Sequence, residues 1–209
     1  MKILILINIF IWICFSSFAR PISYSGGYTL MQSNNPFSNS IHAHYSPSYK
    51  YSLGYRGEYF RHQSVAFNGL QLNNLIKRWN LPSAQGNIYF KSAIGDIYQS
   101  SNNAIAGFTG VAADFETRKY FISYQNRYYK SDKNIFSQFQ QSARFGFAPY
   151  VANYNNLHSW LMIEVTHNPT SDIDQIVTTP LIRVFKGLHL AEFGISSNQR
   201  VIFNYIIRF

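Results

Sequence analysis

Short segments in which apolar and polar residues alternate recur along most of this chain. The clearest runs from Tyr49 to Tyr59, where aromatic or apolar side chains alternate with Lys50, Arg56 and Glu58. A period of two places successive side chains on opposite faces of a β-strand. After the first twenty residues, no stretch longer than about ten residues keeps a helical period. The alternation therefore predicts an all-β chain.

The apolar side of these segments is unusually aromatic. The sequence holds 16 Tyr and 18 Phe, whereas the buried face of a soluble β-sandwich favours Val, Ile and Leu. Tyrosine and phenylalanine suit the boundary between lipid and water. The composition thus favours strands that meet a membrane.

Turn-forming residues recur at fairly even spacing and divide the chain into about twelve strands. An even number returns both ends of the sheet to one side, and pairing of the first strand, near residues 27–32, with the last removes both edges. We therefore predict one domain over residues 20–209, a closed antiparallel transmembrane β-barrel of about 12 strands with short loops. The alternation is weakest over residues 70–79 and 103–113.

The first nineteen residues have the layout of a cleavable signal peptide. Lys2 gives a basic start, residues 3–15 are almost all apolar, and the small residues Ser17 and Ala19 follow. The apolar run is shorter than the roughly 20 residues of a membrane-spanning helix. We expect export and cleavage near Ala19, which would also remove Cys14, the only cysteine.

The last strand has a distinctive end. Apolar residues alternate with other residues up to the final position, and they are Val201, Phe203, Tyr205, Ile207 and Phe209. This pattern resembles the terminal strand of Gram-negative outer-membrane β-barrels, in which a final aromatic residue and apolar residues at alternating positions before it form the assembly signal. The matching positions are Tyr205, Ile207 and Phe209. The resemblance implies a place in the bacterial outer membrane, contact with its lipids and recognition by the barrel-assembly machinery, and it identifies no subfamily.

Charged residues at predicted inward positions give the interior an excess of positive charge. They are Lys50, Arg56, Glu58, Lys91, Arg127, Arg144, Glu164, Glu192 and Arg208. In a water-filled pore such a field favours small anionic solutes. Alternatively, ion pairs fill the lumen and the protein is a structural part of the envelope. Because a barrel of twelve strands lies between filled and open sizes, the strand count leaves both open.

His42 and His44 lie two apart on one predicted strand and therefore share a face. With a third ligand from His62, Glu58 or Glu192 they are candidates for a metal site. The alternative is that both imidazoles line a wet interior and bind only water. No other cofactor is expected.

A lipid-modifying enzyme is the remaining alternative, suggested by the adjacent pair His158 and Ser159. Adjacent strand residues point to opposite faces, so these two would not form a base and nucleophile within a strand. The sequence thus favours a protein without enzymatic activity. Its Lys and Arg residues form no run longer than two, which argues against nucleic acid as a partner, and we expect a monomer.

Overall fold

A computed structural model describes residues 21–100, 102–153, 156–169 and 175–209. The expected signal peptide, residues 1–19, lies outside the described residues. No helix in these ranges is long and apolar enough to span a membrane.

The described residues form a closed antiparallel barrel of twelve strands, which confirms the predicted fold class and strand number. Each strand pairs with the next along the chain, and the first pairs with the last. The strands are β1 (Gly27–Asn34), β2 (Ser38–Ser48), β3 (Tyr51–Phe60), β4 (Val65–Leu81), β5 (Ala84–Gln99), β6 (Asn102–Thr117), β7 (Tyr120–Ser131), β8 (Ser137–Phe147), β9 (His158–Asn168), β10 (Gln175–Lys186), β11 (His189–Ile195) and β12 (Val201–Arg208).

The barrel closes where β1 meets β12. Their register runs from Thr29 opposite Arg208 to Asn34 opposite Phe203, and the backbone of Tyr28 exchanges two hydrogen bonds with that of Phe209. We call the end that carries Phe209 and the turns after β2, β4, β6, β8 and β10 the terminal end, and the opposite end the far end.

Two strands with blurred alternation have physical reasons for it. In β4 the register with β5 shifts between Leu75 and Lys77, which breaks the period of two. In β6 the inward positions include the buried small residues Ala104, Ala106 and Ala112. Alanine differs little in hydrophobicity from the residues beside it, so the alternation is weak in the sequence.

The two faces of the wall differ sharply in chemistry. Most outward side chains are apolar and exposed, as at Leu53 with 50% and Ile94 with 67% of the residue's surface accessible, whereas the inward residues Ser52 and Lys91 on the same strands are buried. A largely apolar exterior of this kind suits lipid and would be a liability in water. A closed barrel also leaves no unpaired strand edge, as hydrocarbon requires.

Apolar clusters narrow the interior near both ends. At the far end, aromatic side chains from β3, β4, β6 and β7 and the turn after β7 pack together, among them Phe60, Phe67, Phe108, Tyr129 and Phe136. At the terminal end a smaller cluster holds Ile22, Tyr89 and Ala112, and another includes Trp160, Met162 and Leu181. The polar residues are therefore concentrated between the two ends.

Candidate functional site

The carboxylate of Glu58 is the centre of one buried charge cluster. Its Oε2 atom accepts hydrogen bonds from Arg56 at 2.6 Å, Arg127 at 2.6 Å and the hydroxyl of Tyr129 at 2.7 Å. Ser38 donates to its Oε1 atom at 2.7 Å. Two guanidinium groups thus share one carboxylate, and the cluster keeps a net positive charge.

A second cluster lies on β8 to β12. Arg144 pairs with Glu164 at 2.6 Å and Glu192 at 2.8 Å, and Arg183 also pairs with Glu192 at 2.6 Å. The remaining oxygen of Glu192 accepts a hydrogen bond from Asn204 at 2.7 Å. Here two cations meet two carboxylates, so the charges balance.

Lys91 differs from these cations. It lies on β5, is 9% exposed, and its ammonium group donates to the amide oxygen of Gln125 at 3.1 Å. It forms no ion pair with another described residue. Any positive charge that this ammonium group carries therefore faces the cavity without a carboxylate in contact with it, at a cost in desolvation.

A cavity of about 220 Å³ lies within the lumen. Its lining extends from Asn35, near the far end, to Pro21 and Ile206, near the terminal end. Five cations and three carboxylates line it, namely Arg56, Lys91, Arg127, Arg144, Arg183, Asp114, Glu164 and Glu192. Glu58 holds two of these cations, so the formal charges are five positive against four negative, and the cavity wall has an excess of one positive charge.

The structure places most of the expected inward residues inside the barrel. Arg56, Glu58, Lys91, Glu164, Glu192 and Arg208 are buried, and Arg127 and Arg144 are half-buried. The exception is Lys50, which lies in the turn between β2 and β3, is exposed, and has its ammonium group 5.9 Å from the ring centre of Tyr49. The expectation for Lys50 was wrong because β2 continues through an irregularity to Ser48, so that Tyr49 and Lys50 form the turn before β3.

Two members of the clusters were missed by sequence reasoning. Arg183 lies between Ile182 and Val184, so its segment resembles an apolar run rather than an alternating one. Tyr129 is completely buried inside the barrel, although tyrosine elsewhere marked the outward face. The alternation of Gln125 and Arg127 with outward residues was the signal that could have placed Tyr129 inside.

His42 and His44 share the inner face of β2, as their spacing implied. Both are buried, and their ring centres lie 4.6 Å apart. Their suggested third ligands do not join them: His62 is exposed in the turn after β3, while Glu58 and Glu192 are held by arginines. No group of three or more His, Cys, Asp or Glu among the described residues is arranged to hold a metal ion.

His158 and Ser159 begin β9 and point to opposite faces. The imidazole of His158 lies 6.0 Å from the ring of Phe185, and the hydroxyl of Ser159 lies 3.0 Å from that of Tyr150. The two side chains are therefore not brought together as a catalytic pair.

The segment before β1 enters the terminal end of the lumen. Ile22 is 2% exposed within the cluster of Tyr89 and Ala112. The carbonyl oxygen of Pro21 accepts hydrogen bonds from Ser52 at 2.9 Å and Asn73 at 3.3 Å. This segment therefore narrows the lumen at that end.

Hydrogen bonds connect this segment to the Glu58 cluster. Arg56 donates to Gln71 at 3.4 Å, Gln71 donates to Asn73 at 2.6 Å, and Asn73 donates to the carbonyl of Pro21. A continuous polar path thus joins the charged middle of the lumen to its terminal end.

The residues of the expected assembly signal lie on the outward side of β12. Phe209 is 58% exposed, and its ring stacks on that of Tyr28 at 6.1 Å. The hydroxyl of Tyr205 lies 2.6 Å from Nδ1 of His189, and Ile207 is half-buried.

Comparison with known proteins finds structural likeness only. No family model and no curated protein matches the chain. Among solved structures, the KdgM porin has a TM-score of 0.48 at 10% identity, with 88% of this chain and 98% of that chain covered. The same values describe the KdgM porin in complex with disordered oligogalacturonate. OccAB4 from Acinetobacter baumannii has a TM-score of 0.39 at 8% identity, with 86% of this chain and 55% of that chain covered.

Proposed function

We propose that this protein is a monomeric channel of the bacterial outer membrane that passes small solutes and prefers anions. The observation that carries the proposal is the net positive cavity that follows the lumen between Asn35 and Pro21. Charged walls in a medium of low dielectric constant focus the field on the enclosed water and raise the local concentration of counter-ions.

The alternative, a filled structural barrel, rests on the ion pairs of Glu58, Glu164 and Glu192. These pairs brace the wall, but they do not neutralise it. Lys91 and the second guanidinium on Glu58 stand against one further carboxylate of the lining, Asp114, so an excess of positive charge remains at the cavity. An interior serving only to fill the barrel would gain nothing from unpaired buried cations, whose desolvation is costly. The channel is therefore the better account.

The outward apolar face supports the membrane location. We propose that it contacts outer-membrane lipids, that the first nineteen residues are a signal peptide removed near Ala19, and that Tyr205, Ile207 and Phe209 form the signal read by the barrel-assembly machinery. Their outward position on the last strand leaves them available to such a partner before the barrel closes. Replacing Phe209 by Ala should lower the amount of assembled barrel in the outer membrane without changing synthesis, and unchanged assembly would remove that role.

The channel is tested by recording current across a planar bilayer after insertion of refolded protein, with a mock-refolded sample as control. Discrete and reproducible conductance steps are expected. Silence from protein with the circular dichroism of a folded barrel would support the structural alternative instead.

A further inference from the structure

His42 and His44 form an arrangement that the proposed channel does not use. The imidazoles lie on one strand with ring centres 4.6 Å apart, and they are 4% and 3% exposed. The Nε2 atom of His42 and both ring nitrogens of His44 are buried without a hydrogen-bond partner. A buried polar atom that lacks a partner is costly and calls for an explanation such as an ion or a water molecule.

A thioether stands beside this pair. Met31 is the direct partner of His42 across the β1–β2 ladder, where side chains on the same face have Cβ atoms about 5 Å apart. Met31 and His42 line the same cavity. Two imidazoles from one strand and a third ligand from its neighbour can converge on one ion.

Gly54 on β3 leaves room for this arrangement. It is the partner of His44 in the β2–β3 ladder, and a Cβ atom there would lie 2.5 Å from the Cβ of His44. A side chain at this position would displace His44. The glycine thus allows the imidazole to lie against the wall.

We infer that Met31, His42 and His44 form a site for a soft monovalent cation, Cu(I) or its analogue Ag(I). Thioether and imidazole ligands suit Cu(I), whereas structural zinc sites are almost always completed by four ligands that include thiolates, imidazoles or carboxylates. This site has no carboxylate or thiolate. Its donor set therefore favours the softer ion.

The positive charges that face the site oppose every cation, and they oppose a divalent ion more than a monovalent one. Arg56 is the direct partner of His42 in the β2–β3 ladder, and Lys91 and Arg127 line the same cavity as His42. Since repulsion grows with the charge of the bound ion, these cations penalise a divalent metal about twice as strongly as a monovalent one. The inference goes beyond the proposed channel, because binding does not require an open pore.

The test measures Cu(I) binding by the refolded protein in detergent, without oxygen and with ascorbate, against a chromophoric Cu(I) chelator. Wild-type protein should withdraw one equivalent of Cu(I) from the chelator. Since loss of even a supporting residue weakens metal sites by about 10- to 100-fold, His42→Gln or His44→Gln should weaken binding by about 100-fold and Met31→Leu by about 10-fold. Zn(II) in place of Cu(I) should bind at least about 10-fold more weakly.

Two control variants separate this site from other ligands. His189→Gln removes an exposed histidine outside the lumen, and Met162→Leu removes an interior methionine at the terminal end; both should bind Cu(I) like wild type. Circular dichroism confirms that each variant is folded. The inference would be overturned if wild-type protein failed to withdraw Cu(I), or if His42→Gln, His44→Gln or Met31→Leu bound Cu(I) as tightly as wild type. Binding of Zn(II) as tight as that of Cu(I) would overturn it too.

Discussion

Arg127 and Glu58 are 69 residues apart in the chain, and their side chains meet at 2.6 Å inside the barrel. Arg127 lies on β7 and Glu58 on β3, and three strands separate these two around the ring. The ion pair therefore crosses the interior rather than following a ladder. It braces two parts of the wall that the backbone hydrogen bonds do not connect directly.

Replacing Glu58 by Gln should destabilise the barrel. The change leaves Arg56 and Arg127 without their shared carboxylate, and breaking a buried ion pair costs roughly 3 kcal/mol or more. The measurement is the free energy of unfolding in denaturant. Asp132→Asn, at an exposed position in the turn after β7, is the control and should change stability by less than about 0.5 kcal/mol; equal stability of the two variants would refute the bracing role.

Replacing Gly54 by Ala should cost more than the same change at Gly57. A Cβ atom at Gly54 would lie 2.0 Å from the carbonyl oxygen of Ala43, whereas at Gly57 the nearest atom is the hydroxyl of Tyr55 at 3.1 Å. Backbone shifts forced by overpacking cost about 1–3 kcal/mol. The midpoint temperature of thermal unfolding should fall clearly for Gly54→Ala only. An equal fall for Gly57→Ala would contradict this account.

Replacing Ile22 by Asp should widen the terminal end of the lumen. A buried carboxylate without a partner is too costly to keep among Tyr89 and Ala112, so the segment before β1 should leave the lumen. Single-channel conductance should rise. Ser25→Asp adds the same charge at an exposed position of the same segment, and a rise of equal size there would show that charge alone is responsible.

Replacing Ile94 by Arg tests the lipid-facing wall. Ile94 points outward and is 67% exposed, and arginine on the lipid face of a barrel costs up to about 2–4 kcal/mol, depending on depth. The free energy of unfolding in bilayers should fall relative to Ile94→Ala, and much less so in detergent. No difference between the two variants in bilayers would mean that this face does not meet lipid.

The fold was largely accessible from the sequence, because inward and outward residues alternate along nearly every strand. Lys50 was assigned to the inner face of a strand, but β2 continues past Pro47 through an irregularity to Ser48, and Tyr49 and Lys50 form the turn. The bulge after Leu75 likewise interrupts the alternation of inward and outward residues in β4. Such irregularities shift the register without changing the composition.

The site was accessible only in part. The pattern placed Arg56, Glu58 and Arg127 inside, but their pairing depends on the closure of the barrel and the register of every strand between them. The same holds for Met31, whose position beside His42 follows from the β1–β2 register. Local periodicity gives the face of a residue, and only the assembled barrel gives its partner.

The central claim is that the positive lumen conducts and prefers anions, and the reversal potential under a KCl gradient tests it most directly. Lys91 is the residue to vary, because it forms no ion pair with a described residue and its replacement breaks none of the described braces. Wild-type channels should favour chloride. Lys91→Glu should shift the reversal potential towards the equilibrium potential of potassium, whereas Lys50→Glu, in an exposed turn, should leave the reversal potential nearly unchanged. Preference for potassium in the wild type, or an identical reversal potential in the Lys91→Glu channel, would contradict the account.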